Sequence, residues 1–205
     1  MITYKKTTDV PRLVIQYDSD AQSPREWSNL GYFLTKGNSP DGKDSAIYSI
    51  MIETGDEATS PADHIKRMTA RINAETGEKI KAIFPVVKYE HGDVSYSIGE
   101  KHGFDYSNNG FYIITDKTLK EMPEKKKEWA RIVKNELETY TKWANGYVYG
   151  FTLCDKDGNF EDSCWDIYDI EDIREALPDE FKNEDLTQYL KSGKPQYSRQ
   201  PSRSS

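Results

Sequence analysis

The sequence predicts an α+β protein: a curved, mostly antiparallel sheet with two long helices packed on one face. Three observations lead there. Short β-branched and aromatic runs come in pairs joined by tight turns, which demands antiparallel pairing. Two segments repeat apolar residues at helical spacing between clear start and stop signals. The chain has 205 residues, 36% of them hydrophobic and 12% aromatic, enough for one real core. We therefore expect a single domain over 1–191. The closing stretch 192–205 is Pro/Ser-rich and without periodicity, and reads as a flexible polar tail.

Each element follows in order. "RLVIQY" (12–17) reads as a strand that the Asp-rich "DSDAQSP" ends. Ser23 is placed to cap a short helical turn with Pro24 at its first position. "GYFLT" and "SAIYSIMIE" read as strands flanking the turn-rich "KGNSPDGKD". The first long helix is expected over 60–77: Ser60 caps it, Ile65, Met68 and Ile72 form its stripe, and Gly77 stops it. "KAIFPVVKY" and "DVSYSI" form strands joined by "EHG", and "GFYIIT" (110–115) forms another. The second long helix is expected from about Pro123 to Asn145, on the spacing of Trp129, Ile132, Val133, Leu137, Tyr140 and Trp143. A hairpin, "YVYGFTLC" with "NFEDSCWDIY", and one or two acidic helices complete the chain, which has no internal repeat.

Composition excludes several classes. No apolar run is long enough to span a bilayer, and "MITYKKTTDV" lacks the apolar core of a secretory signal, so a cytoplasmic protein without membrane contact is expected. Cys154 and Cys164 flank a hairpin that pairs 154 with 159 and 149 with 164, a register in which the thiols are not opposite; both are expected reduced. The net charge of -7 is uneven. Residues 155–185 hold 13 acidic residues against Lys156, Arg174 and Lys182. Because Phe160, Trp165, Ile167, Tyr168, Ile170, Ile173, Leu177 and Phe181 are interleaved, the acids belong to a folded surface rather than a disordered tail. Such a surface serves solubility, a metal, or the imitation of a phosphate backbone.

Gly-rich phosphate loops, GxSxG and HExxH are missing from the sequence. "DKDGN" is a hairpin turn rather than a calcium loop, its Gly being fourth where that loop needs it sixth. Asp18 and Asp20, with Arg25 and Glu26, are the candidate acid cluster, able to hold magnesium; ordinary turn chemistry, with Arg25 pairing the two aspartates and Trp27 and Leu30 anchoring the turn, competes with it. His91 and His102 lie in loops around one hairpin and are the other catalytic candidates, while His64 reads as exposed. Lys127, Arg131, Lys134 and Lys142 give the second long helix a basic face. The neighbouring "GFDYSNNGFY" (103–112) offers aromatic stacking surfaces for nucleic acid.

Four segments, "DSDAQSPREWSNLG", "FPVVKYEHG", "FDYSNNGFYII" and "VYGFTLCDKDGNFEDSCWDIY", resemble in that order a family of small accessory proteins carried by phages and conjugative elements of Gram-positive bacteria. The resemblance spans roughly 12–168, and SPREW-x-NLG is its most specific piece. It implies a counter-defence protein, an anti-CRISPR inhibitor of a Cas9-type effector or of its guide RNA; separately, a location in the host cytoplasm and no cofactor are expected. It supplies no catalytic residues. Asp162, Asp166, Asp169, Glu171, Asp172 and Glu175 are the residues expected to meet the partner. A metal- or His-dependent ribonuclease and a replication or transfer accessory protein are the alternatives.

Overall fold

The computed structural model describes residues 12–191; the expected tail 192–205 lies outside the described residues. In chain order the elements are β1 (Leu13–Tyr17), β2 (Tyr32–Thr35), α1 (Ala46–Glu57), α2 (Pro61–Glu75), β3 (Ile80–His91), β4 (Asp93–Ile98) and β5 (Tyr106–Thr115). They continue with α3 (Thr118–Glu121), α4 (Trp129–Ala144), β6 (Tyr149–Cys154), β7 (Phe160–Ile167) and α5 (Ile173–Ala176). Short 3-10 turns sit at 24–26, 126–128, 170–172, 179–181 and 186–189. The class is α+β with antiparallel sheets. The strands divide between a three-stranded sheet, β1-β6-β7, and a four-stranded one, β2-β5-β3-β4, rather than forming one. Among the described residues the chain forms two compact units, 23–141 and 12–22 with 142–191.

In the 23–141 unit, alternation along β2 and β5 sorts the helices. Leu34 and Ile113 pack with Ile47, Ile50, Met51, Met68 and Ile72 of α1 and α2. Their neighbours in sequence point the other way. Phe33 stacks edge-on with Tyr140 of α4, and Tyr112 donates a hydrogen bond to Glu136. The two long helices, α2 and the 129–141 part of α4, therefore cover opposite faces of the four-stranded sheet. A helical pattern gives the buried stripe but not which side of a sheet receives it.

"SAIYSIMIE" differs from the expected strand. It is the cap and first two turns of α1, with Ser45 accepting a hydrogen bond from the Tyr48 N–H at 3.1 Å. Ile47, Ile50, Met51 and Thr54 are the buried positions, a helical spacing hidden inside a continuous apolar run. Packing on α2 overrides the β-preference of the isoleucines.

In the other unit, Leu13, Ile15, Phe151 and Leu153 on one face of the three-stranded sheet are roofed by Ile173, Leu177, Phe181 and Leu186. The expected acidic helices are one turn of α-helix and four-residue or shorter 3-10 turns. The hairpin forms with Cys154 opposite Phe160 and Phe151 opposite Cys164, so the register expected for 159 and 149 is displaced by bulges. The thiols are not paired with one another.

Replacing the α1 cap, Ser45→Ala, is expected to cost about 1 kcal/mol in urea unfolding, because it orphans a backbone donor at the helix start. A strand at 45–53 would make the same change nearly neutral.

Candidate functional site

The Ser-Pro-Arg stretch is built as expected at its start. Ser23 accepts from the Arg25 N–H at 3.2 Å, and Pro24 is buried at the head of the 3-10 turn. The Arg25 side chain is only 4% exposed. Its guanidinium donates to both Asp41 oxygens at 2.6 and 2.8 Å, to Glu136 at 3.0 Å, to Asn29 Oδ1 at 2.8 Å and to the Gly31 carbonyl at 2.7 Å. All five donors are occupied, so Arg25 does not pair with Asp18 and Asp20 as the sequence suggested. Burial works against its charge, but the hydrogen bond and charge of Asp41, aided by Tyr112 and Glu136, hold its pKa above the ordinary arginine value.

The acceptors are shared onward. Asp41 also accepts from the Phe33 N–H at 2.5 Å, and Glu136 from the Leu30 N–H at 2.9 Å and from the Tyr112 hydroxyl, which itself accepts from the Gly31 N–H at 2.8 Å. A Cβ at Gly31 would fall 2.4 Å from the Ile113 carbonyl oxygen, which explains the glycine. Leu30 is fully buried, whereas Trp27 is 48% exposed. SPREW-x-NLG is thus a folding motif around a buried charge.

Asp18 is buried in the other unit, where one carboxylate oxygen accepts from the Asp20 N–H at 2.9 Å and the other from the Asp166 N–H at 3.2 Å. Asp20 is exposed, as is Glu26 in the 23–141 unit. Among the described residues, no group of three or more His, Cys, Asp or Glu side chains is arranged to hold a metal ion. His91 is exposed, with Nδ1 3.6 Å from Asp105. His102 lies on the wall of a cavity together with His64, which is half-buried rather than exposed: its Nε2 bonds the Met51 carbonyl at 2.9 Å and its ring meets Phe111 edge-on.

The expected basic row is interrupted, and Lys127 lies in the 3-10 turn before α4. Arg131 pairs with Glu128 at 2.9 Å and Lys142 with Asp169 at 3.5 Å, Lys134 lines a shallow depression beside Glu138, and Lys127 is exposed. In the expected aromatic loop, Tyr112 is buried and Phe111 half-buried, and Tyr106 packs on Tyr89; Phe104 alone of these four is fully exposed.

The acidic surface belongs to the unit of 12–22 and 142–191, which carries 15 acidic and 6 basic residues. Four of the bases are held internally: Arg12 by Glu180, Lys142 by Asp169, Arg174 by Glu171 at 2.7 Å and Lys182 by Asp179 at 2.7 Å. Asp169 and Glu171 are therefore engaged within the unit. Asp162, Asp166, Asp172 and Glu175 are exposed. Asp155 shapes the hairpin turn, and hydrogen bonds from Asn159 foremost hold its carboxyl below the usual range.

β7 carries a feature the sequence reading missed. Gly150, Thr152 and Cys154 face away from the core, and Phe160 lies opposite Cys154, so it shares their side. The Trp165 indole lies on Gly150 on the same side: a Cβ there would sit 2.1 Å from its Cε3. Both aromatics, expected inside, are outside, Phe160 at 68% and Trp165 at 41% exposed. The glycine opposite the Trp was the available signal. Asp166, next to Trp165, has φ +60, a left-handed conformation secured by the bond from its N–H to Asp18.

No protein-family model, curated protein or solved structure matches the chain. No helix among the described residues is long and apolar enough to cross a membrane.

Two outcomes follow. Arg25→Met leaves the largely covered Asp41 and Glu136 without their cation and is expected to destabilise the 23–141 unit by about 3 kcal/mol in denaturant titration. Burial, with the charge of Glu90, pushes the Tyr96 phenol up to about 12, above the value of about 10 for an unfolded chain. The unfolded chain ionises first, so the stability due to this group is full below about pH 10 and lost as pH rises towards 12. Tyr96→Phe should flatten that alkaline decline in melting temperature.

Proposed function

We propose that this is a binding protein, a counter-defence protein of a mobile element, whose acidic and aromatic strand β7 docks on the basic nucleic-acid groove of a Cas9-type effector. The observation that carries the reading is the pairing on one ordered strand of two exposed aromatics, Phe160 and Trp165, with the exposed carboxylates of Glu161, Asp162 and Asp166. Exposed aromatic side chains supply the desolvated centre of an interface, and a rim of one charge sign selects a partner of the other. A groove evolved for phosphates offers that complement, and the 15-to-6 excess of acids gives the long-range attraction that speeds encounter.

A phosphodiesterase has less support, because the Arg25 donors are all occupied inside the 23–141 unit and both Asp18 oxygens accept backbone N–H groups. Guide RNA as the contact on Lys127, Arg131 and Lys134 is also weaker, Arg131 being held by Glu128.

Binding to purified Cas9–guide complex, followed by calorimetry as salt is raised, tests the proposal. Affinity should fall steeply with salt, and Trp165→Ala and the double reversal Asp162→Lys/Asp166→Lys should each weaken it about tenfold or more. The same tubes, analysed for guide length, should show intact RNA. A salt-insensitive complex, no complex, or shortened guide would overturn the reading.

A further inference from the structure

The 23–141 unit contains a cavity of about 450 Å³ for which the docking reading has no use. It opens where the end of α1 and the start of α2 meet β3, β5 and the β4–β5 loop. We infer that this cavity is a nucleobase-binding site, taking a planar nitrogen heterocycle either as a free nucleoside or as an unpaired base of a single strand. The volume lies in the range of small-molecule sites and holds a base with its sugar.

The walls decide the class of ligand. Ile52, Ile65, Pro61, Pro85, Val86 and Phe111 make the lining apolar and, at the two prolines and the phenylalanine, flat. Set into them is His64. Since a carbonyl can only accept, the 2.9 Å bond to Met51 fixes a proton on Nε2, the tautomer whose Nδ1 is the acceptor. That ring is installed at a cost. Gly55 lies inside α1, where glycine is less favourable than alanine, and a Cβ there would stand 3.0 Å from the imidazole. A helix-interior glycine that admits a histidine to a cavity wall is the mark of a placed polar group. Glu100 adds a carboxylate acceptor and His102 a second imidazole, so the wall receives the N–H and amino groups of a base edge.

Phosphate and other small anions fit less well. The start of α2, which would ordinarily attract an anion, is occupied by its own Asp63, whose carboxylate accepts the Thr59 N–H at 3.1 Å, while Ser60 Oγ accepts the Asp63 N–H at 3.1 Å. Glu100 repels negative charge at the rim, and Lys36 stands 3.0 Å from Asp56.

The rim is preformed. Asn108 grips Lys101 through both backbone groups, at 3.0 and 2.6 Å, and the Gly99 N–H donates to the Pro85 carbonyl at 2.8 Å. The loop carrying Glu100 and His102 is thus ordered before any ligand arrives, which lowers the entropic cost of binding. Two residues beyond His102 the same loop presents Phe104 fully to solvent. A fully exposed phenylalanine two residues from the wall of a base-sized cavity suits a strand that inserts one base and stacks the next.

This inference concerns a different unit from the docking surface and stands or falls without it. The full-length protein is titrated by calorimetry with adenosine, guanosine, cytidine and uridine, and with short oligoadenylate and oligouridylate. Ala58→Trp, which places an indole in the cavity at a residue of ordinary backbone geometry, and Phe104→Ala are compared, with melting temperatures as the folding control. Saturable binding of at least one nucleoside or oligonucleotide is expected, weakened about tenfold or more by Ala58→Trp. If a strand is the source, Phe104→Ala weakens the oligonucleotide about fivefold or more and leaves the nucleoside unchanged; if the free nucleoside is the source, the oligonucleotide gains nothing and Phe104→Ala changes nothing. Absence of saturable binding by all six probes, or binding that Ala58→Trp leaves intact in a folded protein, overturns the inference.

Discussion

One buried guanidinium organises the 23–141 unit. Arg25 ties the Ser-Pro turn to the loop before α1 through Asp41, to α4 through Glu136, and to the entry of β2 through the Gly31 carbonyl. A charge so enclosed is tolerable only when every donor has an acceptor and the counter-charges are fixed, since a lost partner leaves an ion in a poorly solvating interior. The constraint spreads outward. Glu136 and Asp41 bind the backbone N–H groups of Leu30 and Phe33, and these set where β2 begins beside β5. The sheet that results carries α1 and α2 on one face and α4 on the other.

The second unit solves a different problem, holding many like charges on a small fold. Its buried Ile173, Leu177, Phe181 and Leu186 fix the short turns between acidic residues, and four internal ion pairs offset part of the repulsion. What stays uncompensated concentrates on and after β7. Charges along an edge strand also keep it from pairing with another chain, so solubility alone accounts for some of them. Solubility does not account for an indole laid flat on a glycine and left half in solvent, and it is this feature that gives the acidic strand its reading as a docking surface.

Local signals in the sequence were legible where a single residue type has one physical use. Ser23-Pro24 and Ser60-Pro61 mark helix starts, Gly77 and Gly92 take positive φ at the expected ends and turns, and "DVSYSI" is β4 residue for residue. What failed was whatever depends on distant partners. "SAIYSIMIE" has the composition of a strand and becomes α1 because α2 packs on it. Asp18 and Asp20 look like a pair by spacing, yet one is buried as a backbone acceptor and the other faces water. Arg25, read as a neighbour of those aspartates, finds its true partners 16 and 111 residues away. His64 shares a cavity with His102, 38 positions on, which no local pattern encodes.

That the Ser-Pro-Arg motif is a scaffold rather than a reactive site is most directly tested by amide hydrogen exchange at Leu30, Gly31 and Phe33, whose N–H groups bond Glu136, the Tyr112 hydroxyl and Asp41. Bonds made to a fixed ion cluster open only when the whole unit unfolds. The three amides should therefore exchange as slowly as the core of β5, and in Arg25→Lys they should accelerate together. Fast exchange at these positions in the unaltered protein, at rates typical of an exposed loop, would contradict the buried charge as the organising interaction.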